Sequence, residues 1–335
     1  MNKIIISEVN LMINVRTDLA VEARELYKQI NKREADGIIS EEEEINDIKV
    51  TTVKIMNEDG AVKIGKPIGT YITIDIPEFT HYDGEVMDDV SDVLNDSLNK
   101  LIDINPSKTA LVVGLGNWNV TPDALGPKVV EKLMITRHLK AVMPDSIDDS
   151  VRPVCALAPG VLGITGIETG EIIKAVAEKI KPDMVICIDA LASRSTRRVN
   201  RTIQIANTGI SPGAGIGNKR MEINEENLGI PVIAIGVPTV VDAATIVNDA
   251  MDLVLDEMVN QATQGSEFYN MLRTIDKNEK SKMIKSLLNP HVGDLMVTPK
   301  EVDVVIDSVS KIISNGLNMA LQPSLDMDDI NKFMG

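Results

Sequence analysis

Aromatic residues are scarce in this chain of 335 residues, where Phe, Trp and Tyr together make up 2%. Nucleic-acid-binding proteins that stack bases on aromatic side chains are therefore disfavoured. Basic residues are also outnumbered, because 34 Lys and Arg face 50 Asp and Glu, giving a formal net charge of -16. Such a surface repels phosphate backbones and anionic lipid head groups, so we predict neither a nucleic-acid partner nor a membrane partner.

Cysteine and long apolar runs are scarce as well. Cys155 and Cys187 each lie inside an apolar stretch, which predicts two buried free thiols and fits a reducing cytoplasm. We find no uninterrupted run of about 18 apolar residues, the length that a membrane span would need. The N-terminal stretch Lys3–Ile6 is too short for a secretory signal. We expect a cytoplasmic protein.

Short apolar runs rich in β-branched residues alternate with segments of helical periodicity. This alternation predicts an α/β fold with a mostly parallel or mixed sheet flanked by helices. The most polar stretch, Asn31–Asp47, which includes the acidic run Glu41–Glu44, predicts a solvated loop or helix end. The predicted strands are Lys49–Met56, Tyr71–Ile76, Ala110–Gly114, Val154–Ala158, Met184–Ala190 and Pro231–Gly236, and the main predicted helices are Asp83–Ile104, Pro122–His138, Glu168–Ile180, Asp242–Met258 and Pro299–Leu321.

Two aspartates follow buried strands. Asp189 comes directly after Ile186–Ile188, and Asp123 lies in the turn that follows Gly114–Gly116. In sheets of this class the active site gathers at the carboxyl ends of the strands, so both residues are candidates for catalysis. Asp123 has an alternative interpretation as a helix N-cap, because Thr121-Pro122-Asp123 resembles a helix start.

Several familiar site patterns are incomplete. Gly114-Leu115-Gly116 begins like a dinucleotide fingerprint, but Asn119 replaces its third glycine, and Asn218 breaks the phosphate-loop pattern of residues 213–219. The three histidines form no His-Glu-x-x-His motif, and there is no Gly-x-Ser-x-Gly elbow. We therefore predict no cofactor and no metal. A Rossmann-like protein that binds a small ligand without catalysis stays open as an alternative.

Five longer blocks are more specific. They are similar to the germination protease family, the spore endopeptidases that degrade small acid-soluble spore proteins during germination. In that family the two functional aspartates fall where Asp123 and Asp189 stand here. The resemblance also implies a homotetramer and a fold related to the endopeptidases that mature hydrogenases, which use a bound metal, so a metal-assisted variant is a second alternative. The blocks are Val15–Glu22, Gly114–Pro127, Ile188–Arg194, Ser211–Asn218 and Leu295–Val302.

The chemistry that this resemblance implies is that of an aspartic-type peptidase. Two carboxyls that share one proton have their pKa values split by mutual repulsion. The ionised one removes a proton from water, and the protonated one donates a hydrogen bond to the scissile carbonyl. The sequence does not assign these two roles between Asp123 and Asp189.

The N-terminal segment predicts a zymogen. Thr17-Asp18-Leu19-Ala20 imitates the family's substrates, in which an acidic residue precedes the cut and a hydrophobic residue and then Ala follow it. Cleavage between Asp18 and Leu19 would remove a propeptide of residues 1–18 and leave a peptidase domain of residues 19–335. The other interpretation is an ordinary helix from Leu19 to Tyr27 capped by Thr17 or Asp18, and both can hold, since a helix would keep the bond protected until conditions change.

An acidic enzyme needs fixed cations to hold an acidic substrate. Arg194, Arg197, Arg198 and Arg201 are the densest basic cluster, and guanidinium groups suit carboxylates. We predict that this cluster recognises the acidic residues of the substrate. The same arginines could equally be solvated or lie in an interface. Lys219 and Arg220 form a second basic pair after the glycine-rich loop.

Overall fold

The computed structural model describes residues 17–334, except 79, 103–104, 106, 144, 146, 214–219, 275–278, 281–282, 285 and 289–294. Most of the predicted propeptide, most of the glycine-rich loop and Lys219 therefore lie outside the described residues. The strands are β1 (Ile38–Ile45), β2 (Ile48–Ile55), β3 (Gly69–Asp75), β4 (Ala110–Gly114), β5 (Val154–Leu157), β6 (Met184–Ser193), β7 (Thr202–Ala206), β8 (Val232–Asp242) and β9 (Met296–Val297).

Helices connect most of these strands. They are α1 (Ala20–Asn31), α2 (Glu58–Ile64), α3 (Gly84–Asn99), α4 (Leu125–Glu131), α5 (Arg137–Val142), α6 (Leu162–Thr165), α7 (Thr169–Ile180), α8 (Glu225–Leu228), α9 (Ala243–Gln261), α10 (Glu267–Arg273), α11 (Val302–Leu321) and α12 (Met327–Met334), with 3-10 turns at Thr80–Tyr82, Thr121–Asp123 and Thr196–Arg198. None of the described helices is long and apolar enough to cross a membrane.

All the described strands join one sheet in the order β1-β2-β3-β7-β8-β6-β4-β5, with β9 paired to β8. Strands β8, β6, β4 and β5 are parallel, whereas β1, β2, β3 and β7 pair antiparallel with their neighbours. This mixed α/β architecture confirms the predicted fold class. The relation to hydrogenase-maturation endopeptidases stays a prediction.

The sheet is covered on both faces. Alternate residues along each strand point to opposite faces, so one set packs under α3, α4 and α11, and the other set packs under α1, α2 and α7. In β6 this alternation places Cys187 and Leu191 on the α7 face and Ile186 and Ile188 on the α11 face. Cys187 is buried as predicted, whereas Cys155 is only half-buried.

The acidic stretch is a strand, so the predicted loop or helix end is wrong for Ile38–Ile45. A two-residue turn at Asn46-Asp47, with φ of 50° and 61°, closes a hairpin onto β2, as Asn and Asp allow. Its glutamates lie on an exposed edge and pair with lysines, for example Glu42 with Lys49 at 2.8 Å. Charged edge strands of this kind resist pairing with other chains.

The predicted helix Pro122–His138 is divided. A 3-10 turn covers Thr121–Asp123, α4 follows it, and α5 begins at Arg137. The main-chain N–H of Thr136, between the two helices, donates to the carbonyl of Val154 in β5 at 3.1 Å. This contact with the sheet edge accounts for the break, because the segment bonds to a strand where a helix would bond to itself.

Gly114 at the end of β4 touches the main chain of α4, and we predict that Gly114→Ala destabilises the fold. A Cβ there would lie 2.2 Å from the Gly126 carbonyl oxygen and 2.8 Å from Val130 Cγ2. Displacing α4 to relieve this overlap should cost about 1–3 kcal/mol and lower the thermal unfolding midpoint. Gly84→Ala, at the first residue of α3 with nothing within 4 Å, is the control and should not lower it. Equal midpoints for the two variants would contradict the prediction.

Candidate active site

Asp189 lies inside β6, which continues to Ser193, so the expected strand end at this residue is wrong. Asp189 nevertheless lies just beyond the carboxyl end of the neighbouring strand β4, because the pairing of β4 with β6 ends at Gly114, opposite Ile188. The side chain is on the same face as Cys187 and Leu191, and the residue is 6% exposed. The Asp189 carboxylate accepts a hydrogen bond from the N–H of Ala190 at 2.9 Å.

The loop after β4 brings Asp123 to the same place. Gly116 turns the chain with φ of 109°, and a Cβ there would lie 2.0 Å from the Asp123 carbonyl oxygen. The Asp123 carboxylate then accepts a hydrogen bond from the N–H of Asn117 at 2.8 Å. The helix-cap interpretation is wrong, because Ala124 is the N-cap of α4 and the Asp123 carboxylate bonds upstream. The 3-10 turn containing Asp123 packs against β6 and β8.

Three carboxyls lie near the carboxyl end of β4, and the charges of two of them act on the third. Burial, followed by the negative charges of Asp123 and Asp18, raises the pKa of Asp189 well above its usual range. Burial raises the pKa of Asp123, opposed by the hydrogen bond from Asn117. Burial also raises the pKa of Asp18, opposed by the positive charge of Lys66 and the hydrogen bond from Ala192. At least one proton is therefore retained among these carboxyls at a pH where solvated aspartates are ionised.

The segment that imitates a substrate lies against the strand that carries Asp189. The N–H of Asp18 donates to the Ala192 carbonyl at 3.1 Å, and the N–H of Ala192 donates to the Asp18 carboxylate at 2.9 Å. Leu19 has extended dihedral angles and acts as the N-cap residue of α1, without a side-chain cap. Neither Thr17 nor Asp18 caps the helix as the alternative interpretation required, because Asp18 bonds to β6 and Thr17 accepts from the N–H of Leu19.

Two residues that sequence reasoning missed bind the carbonyl of Asp18. Lys66 Nζ donates to this oxygen at 3.0 Å, and Gln204 Nε2 donates to it at 3.2 Å. Both residues line a cleft of about 860 Å³ that reaches Thr17 and Asp18. Lys66 carried no sequence signal. Gln204 carried a weak one, because it is the polar residue of the otherwise apolar Ile203–Ala206, and such a buried amide needs a partner.

Glu22 is a further buried carboxylate beside this segment, 4% exposed. It accepts hydrogen bonds from the main-chain N–H groups of Arg194 at 2.8 Å and Ser195 at 2.9 Å. The hydroxyl of Thr17 also donates to it. The chain around Arg194 therefore holds an acidic side chain through its backbone.

The four clustered arginines line one cleft of about 620 Å³. Arg198 pairs with Glu25 at 2.9 Å and with Asp75 at 3.0 Å. Arg201 pairs with Glu78 at 2.9 Å. The positive charges of Arg194 and Arg197 act on Asp249 of α9. The predicted arginine cluster is thus brought together, but acidic residues of the same chain already face much of it.

Among the described residues, no group of three or more His, Cys, Asp or Glu side chains is placed to hold a metal ion. Arg220 is the described member of the second basic pair, and its guanidinium Nη1 lies 3.4 Å from the Glu168 carboxylate Oε2.

Comparison with known proteins adds the decisive observation. A family model described as germination protease matches residues 16–267 and 255–334, almost the whole chain. The chain belongs to the germination protease family. This confirms the family that the five sequence blocks indicated, and it makes the chain a peptidase.

Members of the germination protease family from several spore-forming bacteria align along nearly their full length. A Clostridium perfringens germination protease is 73% identical over 324 residues, which cover 96% of this chain and 100% of the relative. The Clostridium tetani protein is 61% identical, with the same coverage of both chains. The Bacillus velezensis protein is 43% identical and covers 94% of this chain and 95% of its own length.

We predict that removing the buried carboxyl stabilises the fold in a pH-dependent way. Because the pKa of Asp189 is raised in the folded state, the folded protein binds this proton more tightly than the unfolded chain does. Stability from this group is then complete at pH values below the unfolded pKa of about 3.9 and is lost as the pH rises through the folded pKa. In an Asp123→Asn background, adding Asp189→Asn should raise the thermal unfolding temperature at pH 8.

The difference between these two proteins should shrink towards pH 4, where the carboxyl of Asp189 is protonated in the folded state and about half protonated in the unfolded chain. Differential scanning calorimetry at pH 4, 6 and 8 measures it, with the Asp123→Asn protein as the reference. A difference of the same size at every pH would show that the packing of the new amide side chain, and not the loss of the charge, changed the stability.

Proposed function

We propose that this chain is an endopeptidase made as a zymogen, which removes its own residues 1–18 by cutting between Asp18 and Leu19. The observation that carries this proposal is the position of Asp18 against β6, where its charge and that of Asp123 both act on Asp189. Residues 19–335 are then the peptidase domain. By family, its substrates are small acid-soluble spore proteins, degraded in the spore cytoplasm during germination.

The proposed reaction uses the two aspartates in different roles. Asp189 is the more deeply buried and is repelled by two other carboxylates, so the shared proton belongs to Asp189. Asp123 is half-buried and accepts a hydrogen bond from Asn117, which favours its ionised form. Asp123 is therefore the base that removes a proton from water, and Asp189 is the acid.

The surroundings of residues 18–20 support the proposed preference for an acidic residue, a hydrophobic residue and Ala. The carboxylate of Asp18 is bound by a main-chain N–H of β6. Leu19 is fully buried and packs in a cluster with Val21 and Leu191. Ala20 is also fully buried, so a larger residue there would need space that the packed core does not provide.

We predict that Asp123→Asn and Asp189→Asn each slow self-cleavage at least about 10³-fold while the fold persists, because the reaction needs Asp123 as its base and Asp189 as its acid. Mass spectrometry of the purified chain over time follows the loss of the leader, and circular dichroism checks the fold. Asp47→Asn, in the exposed hairpin turn, is the control and should cleave at the normal rate.

The new N-terminal residue should be Leu19, and any other residue refutes this cleavage site. Near-normal cleavage by either aspartate variant would exclude the aspartate pair. Repeating the wild-type reaction with a chelator tests the metal-assisted alternative, which requires the rate to collapse.

We further propose that the arginine cleft recognises acidic residues of substrates, with Arg194 and Arg197 as the main contributors. Their neighbours Arg198 and Arg201 already pair with Glu25, Asp75 and Glu78. Guanidinium groups that face an acidic side chain across a cleft are placed to exchange it for a substrate carboxylate.

Arg194→Gln or Arg197→Gln should lower the preference for a peptide with Glu before the cut over the Gln analogue. We expect a change in the kcat/KM ratio of roughly tenfold, because a hydrogen bond to a charged group is worth about 1.5–3 kcal/mol. Arg24→Gln, whose guanidinium pairs with Glu34 outside this cleft, is the control. An unchanged ratio after each of the four arginines is neutralised in turn would overturn the assignment.

Self-association into a homotetramer is part of the proposal. Helix α9 has no buried residue along its 19 residues. Its exposed apolar side chains include those of Val247, Met251, Leu253, Val254 and Met258. An apolar surface of this kind supports contact with another protein surface, and a second copy fits the family.

A further inference from the structure

The side chains of Gln204 and Lys66 bind the main chain around the peptide bond between Asp18 and Leu19. Gln204 uses its whole amide group: Nε2 donates to the Asp18 carbonyl at 3.2 Å, and Oε1 accepts from the N–H of Ala20 at 2.7 Å. Lys66 Nζ donates to the same carbonyl at 3.0 Å and to the Thr17 carbonyl at 3.1 Å. The Lys66 ammonium therefore binds two main-chain oxygens in succession, the one before Asp18 and the one at the proposed cut.

Sheet register explains why these groups meet beside the aspartates. Gln204 is opposite Gly236 in β8, and Gly236 is opposite Asp189 in β6. Residues directly opposite one another share a face, so Gln204 and Asp189 lie on the same face. Their Cα atoms are about 10 Å apart, which is two strand spacings. Gly236 between them carries no side chain, and Leu191 covers it. Asp18 joins these strands, because its carbonyl accepts from Gln204 in β7 and its N–H donates to Ala192 in β6.

We propose that Lys66 and Gln204 form the site that binds the carbonyl oxygen of the scissile bond and stabilises the negative charge it acquires. This inference rests on the proposed cleavage between Asp18 and Leu19, and it assigns catalytic roles to two residues outside the aspartate pair. Two donors on one carbonyl oxygen, one of them cationic, are the arrangement that stabilises a tetrahedral oxyanion.

The assignment gives each group one task. Water adds to the carbonyl carbon of Asp18 as Asp123 takes its proton, and the electron pair of the C=O bond moves to the oxygen held by Lys66 and Gln204. The C–N bond to Leu19 then breaks, the carbonyl re-forms, and the proton on Asp189 passes to the nitrogen of Leu19. Since Lys66 and Gln204 bind the oxygen, Asp189 keeps its proton for the departing amine.

A cation is the donor that this environment calls for. Asp123, which acts as the ionised base, and Asp18 make the surroundings negative, which opposes the formation of a further negative charge on the oxygen. Burial lowers the pKa of Lys66, and the charges of Asp18 and Glu22 oppose that shift and favour the ammonium form. The Lys66 ammonium contacts the carbonyl oxygen on which the negative charge develops, so it offsets the repulsion from the carboxylates at that atom.

The test measures self-cleavage of the full chain. Lys66→Met and Gln204→Met should each slow the release of the leader by about 10²-fold or more, the usual loss when one oxyanion donor is removed. Lys63→Met is the matched control, because Lys63 is also next to the end of α2 but pairs with Asp36 and Asp59. This control should cleave at the wild-type rate. If both test variants cleave within threefold of the wild-type rate, the roles of Lys66 and Gln204 are overturned, while the proposed function is left standing.

A second measurement separates catalysis from mere anchoring of the leader. In an Asp123→Asn background, hydrogen exchange of the segment containing Ala192 reports docking, because the N–H of Ala192 donates to Asp18. Slow cleavage with protection retained supports the proposal, whereas protection lost in both Met variants means that Lys66 and Gln204 only hold the segment and overturns it. A wild-type chain that does not cut after Asp18 removes the proposed function and this inference together.

Discussion

A carboxyl group buried inside a β-strand is the constraint on which the rest of this site depends. Asp189 cannot leave the sheet, because β6 is paired with β8 along most of its length and with β4 up to the preceding residue. An isolated charge in that position would be strongly unfavourable, so the group keeps a proton or finds compensating partners. The loop carrying Asp123 and the segment carrying Asp18 both come to this point, and together they set the protonation state on which the proposed chemistry relies.

The segment around the proposed cut is bound through its main chain and through its two acidic side chains, Asp18 and Glu22. Ala192 exchanges two hydrogen bonds with Asp18, Gln204 spans the peptide, and the amides of Arg194 and Ser195 hold Glu22. Leu19 is extended, and α1 begins at the next residue. An extended backbone at the bond exposes its carbonyl to donors, whereas a helical one would already use it. The junction between extended chain and helix therefore suits a bond that is to be cut.

Much of the architecture could be predicted because its signals are local. The apolar runs of β4, β6 and β8 and the periodicity of α3 and α11 gave the correct element types, with boundary errors of a few residues. The acidic strand β1 was missed because four consecutive glutamates have low strand propensity, and its pairing with β2 decides its conformation. The helix after Asp123 was predicted as too long, since the contact of Thr136 with β5 is not visible in the sequence.

The sequence by itself determined the α/β class, the family, and the pair Asp123 and Asp189 as candidates, because these depend on local periodicity and on motifs read residue by residue. Tertiary structure decided that Asp189 lies within its strand, that Asp18 adds a third carboxyl, and that Lys66 and Gln204 reach the carbonyl beside them. The reason is that these relations join residues 48 to 186 positions apart through sheet register and through the docking of α1 and α2. No local pattern encodes a distance across the sheet.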